Sequence, residues 1–348
     1  LDQTHMFDPM DLDDQDAYLR WRRLKLAHYP AGIERIRIEI DDLHHPTAAE
    51  LDAIKTRVAR FNMALIQARP EDVCPAGVLA VGRALGLQRT DANLFADTRA
   101  VSHIEAATAT RDNAGGGARR TDFIPYTNRP LSWHTDGYYN APEDQVEAWT
   151  LFCVRPAHRG GVNALLDPEI AYIRLRDDSP RHIEALTHPR ALLIPAHTQA
   201  EETLRPARIG PVFSVRRGHL HMRYSARGKH VVWRDNAATA LARKALDQLF
   251  SSADAFTFHH RLEPGEGIVS NNVLHNRSGF EDLPAGRSGR LLYRVRYRDR
   301  IETKIAGERP TSPGAPTMEH RTQPSGVQEE TSGPRGQVQI HHPIERNG

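Results

Sequence analysis

The sequence predicts a mainly β protein with flanking helices, built as an antiparallel sandwich or barrel. Short apolar runs recur between glycines and prolines: AWTLFCV at 148–154, ALLIPA at 191–196, PVFSV at 211–215, LHMRYS at 220–225, GIVSNN at 267–272 and RLLYRVRYR at 290–298. Many short strands separated by turn residues point to that class. Helical periodicity is strong in only two stretches. A His-x-Asp tripeptide and a remote histidine border such runs, as expected of metal ligands carried on sheet.

The elements follow in chain order. Residues 33–40, IERIRIEI, place Ile36, Ile38 and Ile40 opposite Arg35, Arg37 and Glu39, a period of two that predicts a half-buried strand. After Pro46, Thr47 and Glu50 form a capping box, and Leu51, Ile54, Val58, Phe61 and Leu65 recur at helical spacing. An amphipathic helix over 47–67 is predicted, its stripe serving core packing. A second helix is predicted over 237–251, with Leu241, Ala245, Leu246 and Leu249 on one side. Residues 109–121, with consecutive glycines at 115–117, read as a loop upstream of the metal motif, as compatible with a lid as with a plain surface loop. From about Ala306 to Gly348 the chain is rich in Pro, Gly, Ser, Thr, Gln and Glu. Such a segment buries too little apolar surface to offset its ordering entropy, so a flexible tail is expected, with His341 and His342 solvated. The division is an N-terminal extension over 1–32, one domain over 33–304 and a tail over 305–348.

Composition narrows the function classes. Among 348 residues, 39% are hydrophobic and 26% charged, enough for a substantial core. Lys and Arg number 46 against 44 Asp and Glu, and a net charge of +2 gives no field that would draw nucleic acid or an anionic membrane. Cys74 and Cys153 are too few for a disulfide framework. No apolar run reaches the ~18 residues that span a bilayer, and the acidic N-terminus lacks a signal-peptide core. A cytoplasmic protein acting on a small molecule is expected.

The chemistry is carried by His134-Thr135-Asp136. Residues two apart on a strand share a face, so His134 and Asp136 can converge on one ion while Thr135 points away. With His275 added, two imidazoles and a carboxylate make the ligand set of a mononuclear non-haem iron(II) oxygenase, three ligands on one face with open positions opposite. The spacing alone is weak, because His103-Ile104-Glu105 and His182-Ile183-Glu184 match it among 19 histidines. Context separates His134, which lies between Trp133 and the run Gly137-Tyr138-Tyr139. His182 sits instead in the charged DDSPRHIEAL. His275 should come from a distant strand, assembled across a barrel, with Asn272 fixing the local turn and Asn276 or Arg277 supporting the ligands.

Beyond His275, alternation places Arg290, Leu292, Arg294, Arg296 and Arg298 on one face. Burying such a ladder is costly unless some guanidiniums meet anions. A planar guanidinium matches a carboxylate bidentately, which suits Arg290 and Arg294, nearest the His275 turn, to a dicarboxylate. Arg296 and Arg298 are expected in solvent.

These residues resemble the taurine dioxygenase and clavaminate synthase-like group of iron(II)/2-oxoglutarate-dependent oxygenases, whose motif is His-x-Asp, a long insertion, then His and later Arg. The resemblance spans roughly 33–300 and includes GGVNALLD at 160–167. It implies a double-stranded β-helix, or jelly roll, with helices outside. It assigns iron to His134, Asp136 and His275, the far carboxylate of 2-oxoglutarate to Arg290, a cosubstrate contact to Asn163 and an anionic substrate group to Arg294. It also implies O2 as oxidant, with succinate and CO2 released as the substrate is hydroxylated. Because Asp136 is present, halogenation is not implied. Desaturation and cyclisation remain open, as does assembly into a homo-oligomer.

Tyr126, Asn128, Tyr138, Tyr139, Arg223 and Arg294 are the polar or aromatic candidates near the mouth, and they favour a small anionic or amino-acid-like metabolite. Arg223 can equally serve packing, and the tyrosines can be core residues with wet hydroxyls. Two other classes stay open: a cupin-like metal enzyme that does not use 2-oxoglutarate, and a non-catalytic 2-oxoglutarate or metal-binding protein. The downstream arginine argues against the first and the intact ligand set against the second.

Overall fold

The structure is a computed structural model that describes residues 7–27, 29–91, 95–106, 120–199, 202–228, 231–252, 254–283 and 289–302. The glycine-rich loop lies almost wholly, and the 305–348 tail entirely, outside them. The largest sheet has six strands in the order Arg37–Glu39, Met63–Gln67, Glu266–Ser270, Ala148–Arg155, Leu291–Tyr297 and Ser102–Ile104. Its first pair is parallel and the others antiparallel. A second, antiparallel sheet runs Phe258–His260, Asn163–Leu166, Leu274–Arg277 and Leu131–His134. Trp149, Cys153, Ile268 and Leu292 of the first sheet share a buried cluster with Leu165 and Phe258 of the second. Two sheets closed on a common core give the expected jelly roll.

Helices cover the outside. Helix α1 spans Gln15–Leu26, α2 Ala48–Phe61, α3 Pro75–Ala84, α4 Pro168–Asp178, α5 Pro180–Thr187 and α6 Ala237–Ser251. Ile54 and Val58 of α2, with Val78 and Val81 of α3, pack on Ile66, Val269 and Val295 of the large sheet. Helices α4 to α6 form a separate apolar cluster with the 213–216 and 219–222 strands, and all belong to the insertion between the Asn163–Leu166 and Phe258–His260 strands. Helix α1 docks on α4, where the Tyr18 hydroxyl donates to Asp177 at 2.7 Å. The buried Lys25 ammonium meets Asp167 and Glu169, each at 2.6 Å. No helix among the described residues is long and apolar enough to cross a membrane.

Three elements differ from the sequence expectation. Residues 33–36 form a 3-10 turn that buries Ile33 and Ile36, leaving only Arg37–Glu39 as strand. The capping box of α2 forms as predicted, but the helix stops at Phe61, where Asn62 turns left-handed at φ 57°. Leu65 therefore belongs to a strand whose two faces are both covered, with Met63 and Leu65 turned to the inter-sheet core and Ala64 and Ile66 to the helices. A run apolar on both faces has no period to separate it from a helical stripe. Helix α6 has the predicted limits, yet it buries Thr239, Ala242 and Leu246 while Leu241 is 59% exposed.

Candidate active site

His134 ends its strand, and in register beside it stands His275 of the neighbouring Leu274–Arg277 strand. The two rings lie 4.2 Å apart between centroids. The third member of the group thus comes from far along the chain but from the adjacent strand, not from across a barrel. Thr135 points away as expected: it donates its N–H to the Tyr224 carbonyl and accepts the Tyr224 N–H on Oγ1. The chain then turns through Gly137, at φ +65°, where an added Cβ would fall 2.5 Å from Val146. Asp136, just before this turn, lies beside the histidines, with Oδ1 3.8 Å from His134 Nε2 and 4.0 Å from His275 Nε2.

Hydrogen bonds orient each member. His134 Nδ1 faces the Ser132 carbonyl at 2.8 Å and His275 Nδ1 the Val273 carbonyl at 3.0 Å. With the protons on Nδ1, both Nε2 lone pairs are left for a metal. Burial, then the neighbouring His275, pushes the His134 pKa down to about 3, and burial also lowers that of His275. Burial alone would raise the Asp136 carboxyl, but Arg294 first, then His275 and Arg296, outweigh it and hold it well below the usual range. Neutral imidazoles and an ionised carboxylate are the protonation states that coordination requires. Asp136 Oδ2 is buried without a hydrogen-bond partner, as a free ligand atom would be. The donor set and its geometry therefore fit a divalent metal.

A small cavity lies between the sheets beside His275, walled by Ile104, Leu131, Trp149, Leu151, Leu165 and Ile268. Asn163, Arg277, Arg290 and Arg294 give it a cationic side. Arg290 is only 4% exposed, yet Nη1 has no partner. Its guanidinium lies 5.1 Å from the Phe280 ring centre, and burial pulls its pKa down to about 10. Arg277 is brought down to about 9 by burial, then by Arg290 and Arg294. Buried guanidiniums that repel one another are relieved by an anion, so the cavity fits a dicarboxylate held beside the metal group.

The other candidates distribute unevenly. Arg294 Nη1 lies 3.3 Å from Asp136 Oδ1, so it is tied to the ligand carboxylate while also lining the cavity. Tyr138 is buried with its ring edge-on to His134 at 6.4 Å. Asn128 is exposed, outside the cavity, and its carbonyl accepts the Phe280 N–H. Tyr126 is buried in the inter-sheet cluster. Arg223 is not at the mouth: it donates to the carbonyls of Pro211, Tyr138, Leu192 and Gly210, which leaves it a structural tie rather than the expected substrate contact. Arg296 departs from the solvent position expected for it. It is buried, with Nη2 2.6 Å from Asp91 and Nη1 donating to the Tyr139 hydroxyl at 2.8 Å. Arg298 is partly exposed and pairs with Asp144 at 2.7 Å. Of the competing tripeptides, His182 on α5 pairs with Asp178 at the end of α4, and His103 lies beside Asp97.

Sequence reasoning did not single out the cavity wall; Arg277, expected as a support for the ligands, ties its strand to the carbonyls of Pro125, Thr127 and Arg129 just before His134. The HNRSGF context offered a hint, since an arginine two residues past a ligand is carried on the same short strand. Trp149, 4.8 Å from the His275 ring and with Nε1 buried and unpartnered, was hidden in an apolar run.

A jelly roll with a His–Asp–His group beside an inter-sheet cavity is the architecture of the clavaminate synthase-like oxygenases. The chain belongs to the taurine catabolism dioxygenase TauD, TfdA family, which it matches over residues 24–296. Two curated relatives are uridine-5'-phosphate dioxygenases. One, from Amycolatopsis sp, is 33% identical over 174 residues, 47% of this chain and 60% of the relative; the other, from Streptomyces sp, is 30% identical over 198 residues, 54% and 68%. The chain thus spans less than two thirds of the first relative's length. Among solved structures, asparagine oxygenase with Fe(II), 3-hydroxyasparagine and succinate superposes with a TM-score of 0.50 at 17% identity, covering 76% of this chain and 93% of that one. The non-heme iron oxygenase OrfP with Fe and alpha-ketoglutaric acid gives 0.52 at 17% identity, covering 72% and 80%. At these identities the likeness is one of fold.

Proposed function

We propose that the protein is an iron(II)- and 2-oxoglutarate-dependent dioxygenase that hydroxylates a small anionic metabolite. The observation that carries the reading is the conjunction, in one interior, of the His134–Asp136–His275 group and the unpaired buried guanidinium of Arg290. Iron and 2-oxoglutarate, when bound, supply the O2 chemistry by which one oxygen atom enters a substrate C–H bond while the cosubstrate becomes succinate and CO2. The chain's own share is orientation. His134 and His275 present fixed Nε2 atoms, Asp136 is kept ionised by Arg294, and Arg290 receives the far carboxylate with Asn163 alongside. The apolar wall keeps water from the reacting centre. A cupin-like enzyme without 2-oxoglutarate would leave the buried Nη1 of Arg290 without a partner.

An anionic substrate agrees with the uridine-5'-phosphate named for the two curated relatives. The test is aerobic turnover of 2-oxoglutarate with added Fe(II), measuring succinate and O2 uptake across nucleotides, dicarboxylates, sulfonates and amino acids. Iron-dependent succinate formation stimulated by an anionic compound is expected. Turnover by neither 2-oxoglutarate alone nor any member of the panel would overturn the reading.

A further inference from the structure

Arg205 is a cation that forms no ion pair among the described residues. It ends the Glu202–Arg205 strand, half-buried, with Nη2 donating to the Pro195 carbonyl at 3.2 Å and Nη1 buried without a partner. Its guanidinium carbon lies 5.1 Å from the Tyr139 ring centre. Tyr139 meets Tyr138 edge-on at 5.1 Å, and Tyr138 meets His134 at 6.4 Å, so aromatic contacts lead stepwise from Arg205 to the metal group. None of Arg205, Tyr138 and Tyr139 lines the cavity that holds Arg290. Arg208, close enough to depress the Arg205 pKa further, has its own Nε buried and unpartnered.

Two buried or half-buried arginines nearby show what a purely structural guanidinium does in this protein. Arg296 pairs with Asp91, and Arg223 spends its donors on four backbone carbonyls. Arg205 does neither. Among the described residues neither it nor Arg208 forms an ion pair, and the groups that favour its charge are the Tyr138 and Tyr139 phenols. The Tyr139 ring is itself fixed, because its hydroxyl accepts from Arg296. A desolvated donor left unpaired is costly unless a ligand completes it.

We infer that Arg205, seated on Tyr139 and assisted by Arg208, is the substrate's anion seat, and that the anion is a phosphate monoester. Two guanidiniums with no ion-pair partner among the described residues suit a dianion, whereas the ammonium of an amino acid would be repelled there. The inference rests on the dioxygenase reading, with the tyrosines leading from the phosphate toward the iron group. A nucleoside 5'-monophosphate has the required chemistry, an anionic end and a flat ring for the aromatic pair.

The experiment uses the full chain, loaded anaerobically with Fe(II) and 2-oxoglutarate, titrated with nucleoside 5'-monophosphates and the matching nucleosides while the visible band of the iron complex is followed. The wild type is expected to bind at least one monophosphate at least 10-fold more tightly than its nucleoside. Arg205→Ala should weaken that monophosphate roughly 10- to 100-fold, the range for a hydrogen bond to a charged group, leaving nucleoside affinity and the 2-oxoglutarate constant unchanged. Arg205→Lys should recover part of the loss. Equal monophosphate affinity in wild type and Arg205→Ala would overturn the inference. So would an equal loss for nucleoside and monophosphate, or a wild type indifferent to the phosphate. A missing band in the wild type before any titrant is added would instead sink the dioxygenase reading.

Discussion

The side-chain amide of Asn272 pairs with the backbone of Asp136 on both edges, accepting its N–H on Oδ1 at 2.8 Å and donating from Nδ2 to its carbonyl at 3.0 Å. Nδ2 also donates to the Val146 carbonyl at 2.7 Å. Asn272 sits at φ 48°, a region that asparagine enters more readily than most residues. It therefore fixes the turn before His275 and the position of Asp136 together. Asn272→Ala should weaken iron binding about 10- to 100-fold, the usual cost of losing support for a metal ligand. Anaerobic Fe(II) titration of folded variant protein measures it, and an unchanged affinity would contradict the assigned role.

Arg290 should matter to the cosubstrate and not to the metal. Arg290→Ala is expected to raise the dissociation constant of 2-oxoglutarate by roughly 100-fold, since a buried charge-assisted pair is lost, with Fe(II) affinity within about 3-fold of wild type. Separate titrations with each ligand distinguish the cases. Parallel loss of both would mean that Arg290 holds the fold of the cavity.

The meeting of His134, Asp136 and His275 was legible in the sequence because coordination chemistry singles out imidazoles and carboxylate, and Asn272 was legible from its place in a turn. The arginine ladder was legible only in part. The register of its strand shifts between Leu291 and Leu292, which breaks the simple alternation of Arg290 with the later arginines. The partner of Arg296 is Asp91, and the carbonyls that hold Arg223 come from scattered segments. No local pattern announces such partners. The same limit explains the end of α2, where burial on both faces of residues 63–66 left no period to read.

Gly267 tests the close packing of the large sheet. A Cβ there would fall 2.2 Å from the Phe152 ring, which is fully buried. Gly267→Ala should cost about 1–3 kcal/mol through overpacking, seen as a lower midpoint in urea unfolding. A midpoint equal to wild type would show that Phe152 can move aside.

Glu147 gives a pH dependence with a definite sign. Burial would raise its carboxyl, but His221 and then Arg216 outweigh burial and bring it down to about 2. A folded pKa below the unfolded value contributes stability that is complete above about pH 4.3 and is lost as pH falls toward the folded value. The urea midpoint of Glu147→Gln should thus lie below wild type at about pH 5, with the gap closing as pH falls further. A gap independent of pH down to the acid limit of folding would refute this assignment.

The central claim is that His134, Asp136, His275 and Arg290 form one site for iron and 2-oxoglutarate. Its most direct test is anaerobic titration of Fe(II)-loaded protein with 2-oxoglutarate, watching for the weak visible charge-transfer band of the chelated complex. Wild type should develop the band to saturation, Asp136→Ala should lose it, and Arg290→Ala should reach it only at much higher 2-oxoglutarate. Folded, iron-loaded wild type that develops no band would contradict the account.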